Sequence, residues 1–117
     1  MLKKFFTIFC LLILFSNNSQ AAGTDGGNSS KVKSNYDKAV SLIKSAKKYE
    51  KKGKTEKAQK RYTKAQKLLL KSNKKKPLQA DTLNYLGFTT RKLGDYEKGE
   101  EYYLLGLDIE PNHKGIN

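Results

Sequence analysis

The chain has 117 residues and carries 24 lysines and arginines against 11 acids, a net charge of +13. That length suits one small domain with a modest core. Hydrophobic residues make up only 37%, but Leu, Tyr and Ala recur at regular intervals, which excludes disorder throughout.

Met1-Leu2-Lys3-Lys4 is a basic start, Phe5 to Phe15 an apolar run broken only by Thr7, and Ser16 to Gln20 a polar stretch before Ala21-Ala22. This pattern predicts a secretory signal peptide over residues 1–21, cut after Ala21. The apolar run covers 11 positions, well short of the ~20 that span a bilayer, so a cleaved leader is favoured over an anchor. Cys10 lies inside the run after bulky Phe9, which does not suit a lipoprotein signal. The expected location is therefore periplasmic or secreted. Cys10 is also the single cysteine, so the mature chain is expected to hold no disulfide, thiolate nucleophile or cysteine metal site. Residues 22–34, with Gly23, Gly26, Gly27, Asn28, Ser29 and Ser30, read as a flexible linker.

A helical period begins at Tyr36 and continues through Ala39, Val40, Ile43, Ala46 and Tyr49, with Leu42 beside the stripe. Ser34 or Asn35 caps its start, and Gly53 is the expected left-handed stop. Thr55 is then expected to cap a second helix, striped by Ala58, Tyr62, Ala65 and Leu69 with Leu68 beside them, and reaching about Ser72. Lys74-Lys75-Lys76-Pro77 breaks it. A third helix is predicted from about Leu78 to Lys92, marked by Leu83, Leu86 and Thr90 and ended by Leu93-Gly94. Asp95 caps a fourth, lined by Tyr96, Gly99, Tyr103, Gly106 and Leu107, which stops before Pro111. No stretch alternates with period two. The expected fold is all-α: two stacked helix-turn-helix hairpins, about 36–72 and 78–110, within an ordered domain at 35–113.

The stretch Ala80 to His113 resembles a tetratricopeptide repeat along its full length, through Leu83, Leu86-Gly87, Leu93-Gly94-Asp95-Tyr96, Tyr103, Leu107 and Pro111. It departs at Thr90, where an aromatic is usual, and at Gly99 and Gly106, where alanine is usual. The first hairpin fits more loosely through Leu42, Ala46, Tyr49, Gly53, Ala58, Tyr62, Ala65 and Leu68. Gly53 to Gly94 is 41 residues, against ~34 for the family, so Leu70 to Pro77 forms either a longer second helix or a longer loop. The spacing asks small residues to face each other: Ala46 the Ala58/Ala65 edge, Gly87 the Gly99/Gly106 edge. Tyr62 and Tyr103 are expected to fill the space between hairpins. Glycines inside helices cost roughly 1 kcal/mol each relative to alanine. Either close backbone approach offsets this or the second hairpin is loose. Two repeats are fewer than the usual minimum of about three. Residues 114–117 are therefore read as the start of a further repeat. The outer side around Tyr102, Leu105 and Ile109 is expected to lie open, in a fragment of a longer array or in a protein that pairs there with itself or a partner.

Charge is uneven. Lys31 to Lys76 holds 18 basic residues and three acids, +15, while Pro77 to Asn117 holds four basic residues and seven acids, −3. Such a block invites an anionic partner, although a solvated helix surface accounts for it equally well. Nucleic acid is disfavoured by the leader and by the presence of a single arginine, Arg61, in the block. An acidic protein or an anionic membrane surface fits better, and opposite-charged halves allow head-to-tail self-association.

The family resemblance implies a concave groove lined by the first helix of each hairpin. It falls here on Val40, Ile43, Lys44, Lys47, Lys51, Asp81, Asn84, Tyr85, Phe88, Arg91 and Lys92. The expected partner-binding set is Lys44, Lys47, Lys51, Asn84, Tyr85, Phe88, Arg91 and Lys92. Tyr85 and Phe88 lie off the Leu83–Leu86–Thr90 stripe, so they either anchor a peptide beside Arg91 or pack on the neighbouring hairpin. The family's carboxylate-gripping Lys and Asn set is not reproduced in order. His113 is the single histidine, no nucleophile–base pair or metal spacing is visible, and Gly26-Gly27 follows no strand. No enzyme, metal or cofactor is expected. The reading is a scaffold for a peptide or protein in the cell envelope. Its alternative is a self-associating structural unit whose cationic first hairpin contacts an anionic surface.

Overall fold

The computed structural model describes residues 32–116. The predicted signal peptide, and the linker as far as residue 31, lie outside the described residues. Among those described there are four helices and no strand: α1 Asn35–Lys51, α2 Thr55–Lys75, α3 Ala80–Lys92 and α4 Tyr96–Ile109. The all-α expectation is borne out. α1 packs on α2 and α3 on α4 as antiparallel pairs, and α2 joins the pairs by lying against α3.

The local reasons are short-range. Ser34 caps α1, its hydroxyl accepting from the Asp37 N–H at 3.1 Å, and Lys48 and Lys51 stand in the last turn, where the helix dipole favours cations. Gly53 then takes φ +75°, and the Lys54 N–H returns to the Tyr49 carbonyl at 2.8 Å. That conformation is cheap only for glycine. The turn is so tight that Lys54, not Thr55, occupies the capping position of α2, and no side chain caps it. α2 is 21 residues long and runs past Ser72 to Lys75. The extra residues of the first hairpin are therefore helix rather than loop. Pro77 and Leu78 break the chain, with Leu78 exposed at φ 61°, and this delays α3 from Leu78 to Ala80. Gly94 at φ +100° repeats the Gly53 turn, and Asp95 caps α4 by accepting from the Lys98 N–H at 3.1 Å.

The core follows the small-residue pattern. Ala39, Ile43 and Ala46 of α1 meet Ala58, Tyr62, Ala65 and Leu69 of α2, with Leu83 and Leu86 of α3 completing the cluster. Burying side chains the size of Ile43 or Leu69 contributes about 1.5–3 kcal/mol each. In the second hairpin Gly87 and Gly99 bring α3 and α4 together: a Cβ on Gly99 would lie 3.0 Å from the Gly87 carbonyl oxygen. Gly106 does not join that edge. It faces Leu83, the Ala80 carbonyl and the tip of Ile116. Tyr62 fills the inter-hairpin space, fully buried and edge-on to Phe88 at 5.9 Å. Tyr103 does not. Its ring lies over Gly87 inside its own hairpin because the missing Cβ leaves room there, and it is only half-buried.

Two side-chain hydrogen bonds join α2 to α3. Gln66 donates to the Thr90 hydroxyl at 3.0 Å, and Gln59 donates to the Lys92 carbonyl at 3.1 Å. Thr90 is buried, so the departure from the usual aromatic is filled by a hydrogen-bonded pair. After α4 the chain turns back on α3. His113 Nε2 meets Asp81 Oδ1 at 2.6 Å, the Gly115 N–H donates to His113 Nδ1 at 3.0 Å, and Ile116 covers Gly106. Because Nδ1 accepts, the neutral ring carries its proton on Nε2 and donates it to Asp81. Tyr102, expected to lie open, packs against the core, whereas Leu104, Leu105 and Ile109 are exposed.

Candidate functional site

α1 and α3 run side by side on one face of the domain, and the expected partner-binding residues divide into three groups along it. Near the C-terminal ends of both helices, Lys47, Phe88, Arg91 and Lys92 come together. The Lys47 ammonium stands 4.8 Å from the Phe88 ring centre and that of Lys92 5.6 Å from it. Such cation–aromatic pairs are worth about 0.5–1 kcal/mol at exposed sites. Arg91 lays its guanidinium over Tyr96 at 5.7 Å, and its stem presses on Gly99. Lys44 and Lys51 stand exposed on α1 without an acidic partner among the described residues. Asn84 and Tyr85 are not part of the cluster. Asn84 is half-buried beside Gly115 of the returning tail, and Tyr85 sits in the seam between hairpins, edge-on to Tyr36 at 5.9 Å. Ile43 is lost to the groove altogether, because it is 1% exposed in the core.

The centre of the cluster is a residue the sequence reading passed over. Glu50 accepts from the Tyr62 hydroxyl at 2.7 Å, and both its oxygens lie 3.1 Å from the Lys92 ammonium. Burial pushes its carboxyl up, but the Tyr62 hydroxyl and the Lys92 ammonium more than offset that and hold it below the usual carboxylate value. The Tyr62 hydroxyl moves the other way, raised by burial and by the Glu50 charge, and so stays a donor. The sequence did hold a clue: Glu50 is one of only three acids among the 18 cations of its block, and a lone acid there has a reason to be held.

Glu50, Phe88, Arg91, Lys92, Tyr96 and Tyr103 line a shallow groove at this end of the face. Its floor is aromatic and its rim cationic, an arrangement that holds carboxylates and apolar side chains together. Among the described residues no group of His, Cys, Asp and Glu is placed to hold a metal ion, and no helix is long and apolar enough to cross a membrane.

Residues 80–113 match the family model described as Tetratricopeptide repeat. No curated protein and no solved structure matches the chain. The matched stretch covers α3, the Gly94 turn, α4 and the tail as far as His113. The close pairing at Gly87 and Gly99 is the packing that spacing requires, and this helix pair, with the tail as far as His113, is similar to a tetratricopeptide repeat.

Proposed function

We propose that this chain is a non-enzymatic scaffold of the cell envelope that holds an acidic, extended segment of a partner protein along the α1–α3 face. A tetratricopeptide repeat is a protein-interaction module, which gives the broad class. The charge balance of the face carries the rest. Lys44, Lys47, Lys51, Arg91 and Lys92 gather there with Glu50, whose carboxylate is already taken by Tyr62 and Lys92. An incoming carboxylate meets Lys47 poised over Phe88, and an apolar neighbour meets that half-buried ring. The envelope location rests on the leader read in residues 1–21. That leader, and the predominance of lysine over arginine in the block, weigh against nucleic acid.

The test is fluorescence anisotropy with a labelled peptide of alternating glutamate and phenylalanine. We expect binding that weakens with salt, and a loss of roughly tenfold (about 1.4 kcal/mol) in the Lys44→Glu/Lys47→Glu double variant. Undiminished binding in that variant, or equal binding of a lysine–phenylalanine peptide, overturns the proposal.

A further inference from the structure

The side of the first hairpin that faces away from α3 and α4 carries a second groove, independent of the face described above. Its floor is Leu42 of α1 and Leu68 of α2, and its rim is Lys38, Lys64, Lys67 and Lys71. Both leucines are half-buried, and none of these lysines has an acidic partner among the described residues. The opposite end of the molecule is its chemical complement. α4 exposes Leu104 (58%), Leu105 (42%) and Ile109 (39%). At 100° per residue, exposed Glu101 and Asp108 fall between Leu104 and Leu105 on the helix surface, with Glu97 and Glu100 on the same side. Lys98 is the lone cation of α4, and it already pairs with Glu101 at 3.3 Å.

We propose that these two surfaces dock on each other between copies of the chain, α4 of one copy lying in the Leu42/Leu68 groove of the next. Charge complementarity selects the occupant. The +15 block repels its own kind and the −3 half accepts it, so like ends stay apart and unlike ends meet. The leucines of α4 supply the apolar surface that the lysine-rimmed floor lacks. The contact joins different patches, so it is heterologous and does not close on itself at two copies: it builds open chains of subunits. It leaves the Lys47–Phe88–Lys92 face free, so it stands or falls separately from peptide binding.

Sedimentation velocity of the purified protein is the test, across protein concentration at low and high salt. We expect mass to grow with concentration at low salt and to fall back to the monomer at high salt. Lys64→Glu/Lys71→Glu and Glu101→Lys/Asp108→Lys each change only exposed residues. Each variant alone should be monomeric, with an unchanged circular dichroism melt as the control for folding. Mixed one to one, they should associate again, since one keeps the groove and the other the helix. A wild type that stays monomeric at low salt, or variants that still grow alone, overturns the proposal. So does low-salt behaviour in which anionic phospholipid vesicles bind the wild type and both variants equally while no oligomer forms.

Discussion

Gly99 and Gly106 both sit in α4, seven residues apart, yet replacing each by alanine should move stability in opposite directions. Alanine in a helix interior gains about 0.5–1 kcal/mol over glycine whatever the surroundings. What the new methyl meets decides the sign. At Gly106 the nearest atom is the Ile116 Cδ1, 2.6 Å away at the end of a flexible side chain, and the next are Leu83 Cβ at 3.5 Å and the Ala80 carbonyl oxygen at 3.8 Å. Ile116 rotates aside at little cost, so Gly106→Ala should stabilise by about 0.5 kcal/mol. At Gly99 the methyl meets the stem of Arg91, the Gly87 carbonyl oxygen at 3.0 Å and the Arg91 amide nitrogen at 3.3 Å. Backbone of a packed helix does not rotate aside, so α3 and α4 must separate. Overpacking of this kind costs about 1–3 kcal/mol, which exceeds the propensity gain and leaves Gly99→Ala about 1–2 kcal/mol less stable. For a domain of this size 1 kcal/mol corresponds to ~4–8 °C in Tm. Far-UV circular dichroism melts and urea titrations of the two variants measure the gap directly. If Gly99→Ala melts at or above the wild type, the close approach of α3 and α4 is wrong and the second hairpin is the loose one of the two readings.

The tyrosines should separate on alkaline titration. Burial, with Asp81, Tyr85 and Asp37 nearby, pushes Tyr36 from 10.0 up to about 12, and burial also raises Tyr62 and Tyr103, whereas the Arg61 hydrogen bond and charge lower Tyr49. Groups raised in the folded state contribute stability that is complete below pH 10 and is lost as pH climbs toward 12. Tyrosinate absorbance should therefore show Tyr49 first and a late step coinciding with loss of helix. A single step for all seven near pH 10 with the helices intact contradicts this. Glu50 acts at the other end of the scale. Its folded value is lowered from 4.5, so its contribution is present above pH 4.5 and fades as pH falls through the folded value. Its side chain is 32% exposed, so the loss should be no more than about 1 kcal/mol. Glu50→Gln should flatten that part of the acid limb of a urea-midpoint profile, and an unaltered limb refutes the assignment.

Much of the fold was legible because its determinants are local. Gly53 and Gly94 announce left-handed stops, Ser34 and Asp95 announce caps, and the Ala39–Ala46 and Ala58–Leu69 stripes announce the buried faces. What could not be read depended on partners distant in sequence. Whether Leu70 to Lys75 was helix or loop turned on how far α2 propagates before Pro77, a boundary that periodicity leaves open. Leu78 hid its positive φ because nothing in a leucine advertises one. The Glu50 clamp needs Tyr62 and Lys92, 12 and 42 residues away, and the tail contact of Ile116 with Gly106 follows from the His113–Asp81 bond. At the candidate site the cations were placed by the family resemblance. The split that draws Lys47, Phe88 and Lys92 together while the tail and seam occupy Asn84 and Tyr85 was not.

The Gln66–Thr90 and Gln59–Lys92 links have a consequence for how the two hairpins find one another. Greasy surfaces tolerate sliding, and a lengthy helix such as α2 offers several near-equivalent berths to a short one such as α3. A slip by one turn strands the buried Thr90 hydroxyl without its Gln66 partner, at about 1–3 kcal/mol. The two glutamines are seven residues apart, two turns on the same side of α2, so they act as paired teeth of a key. They contribute little to how tightly the halves hold, but they fix which single alignment the halves accept.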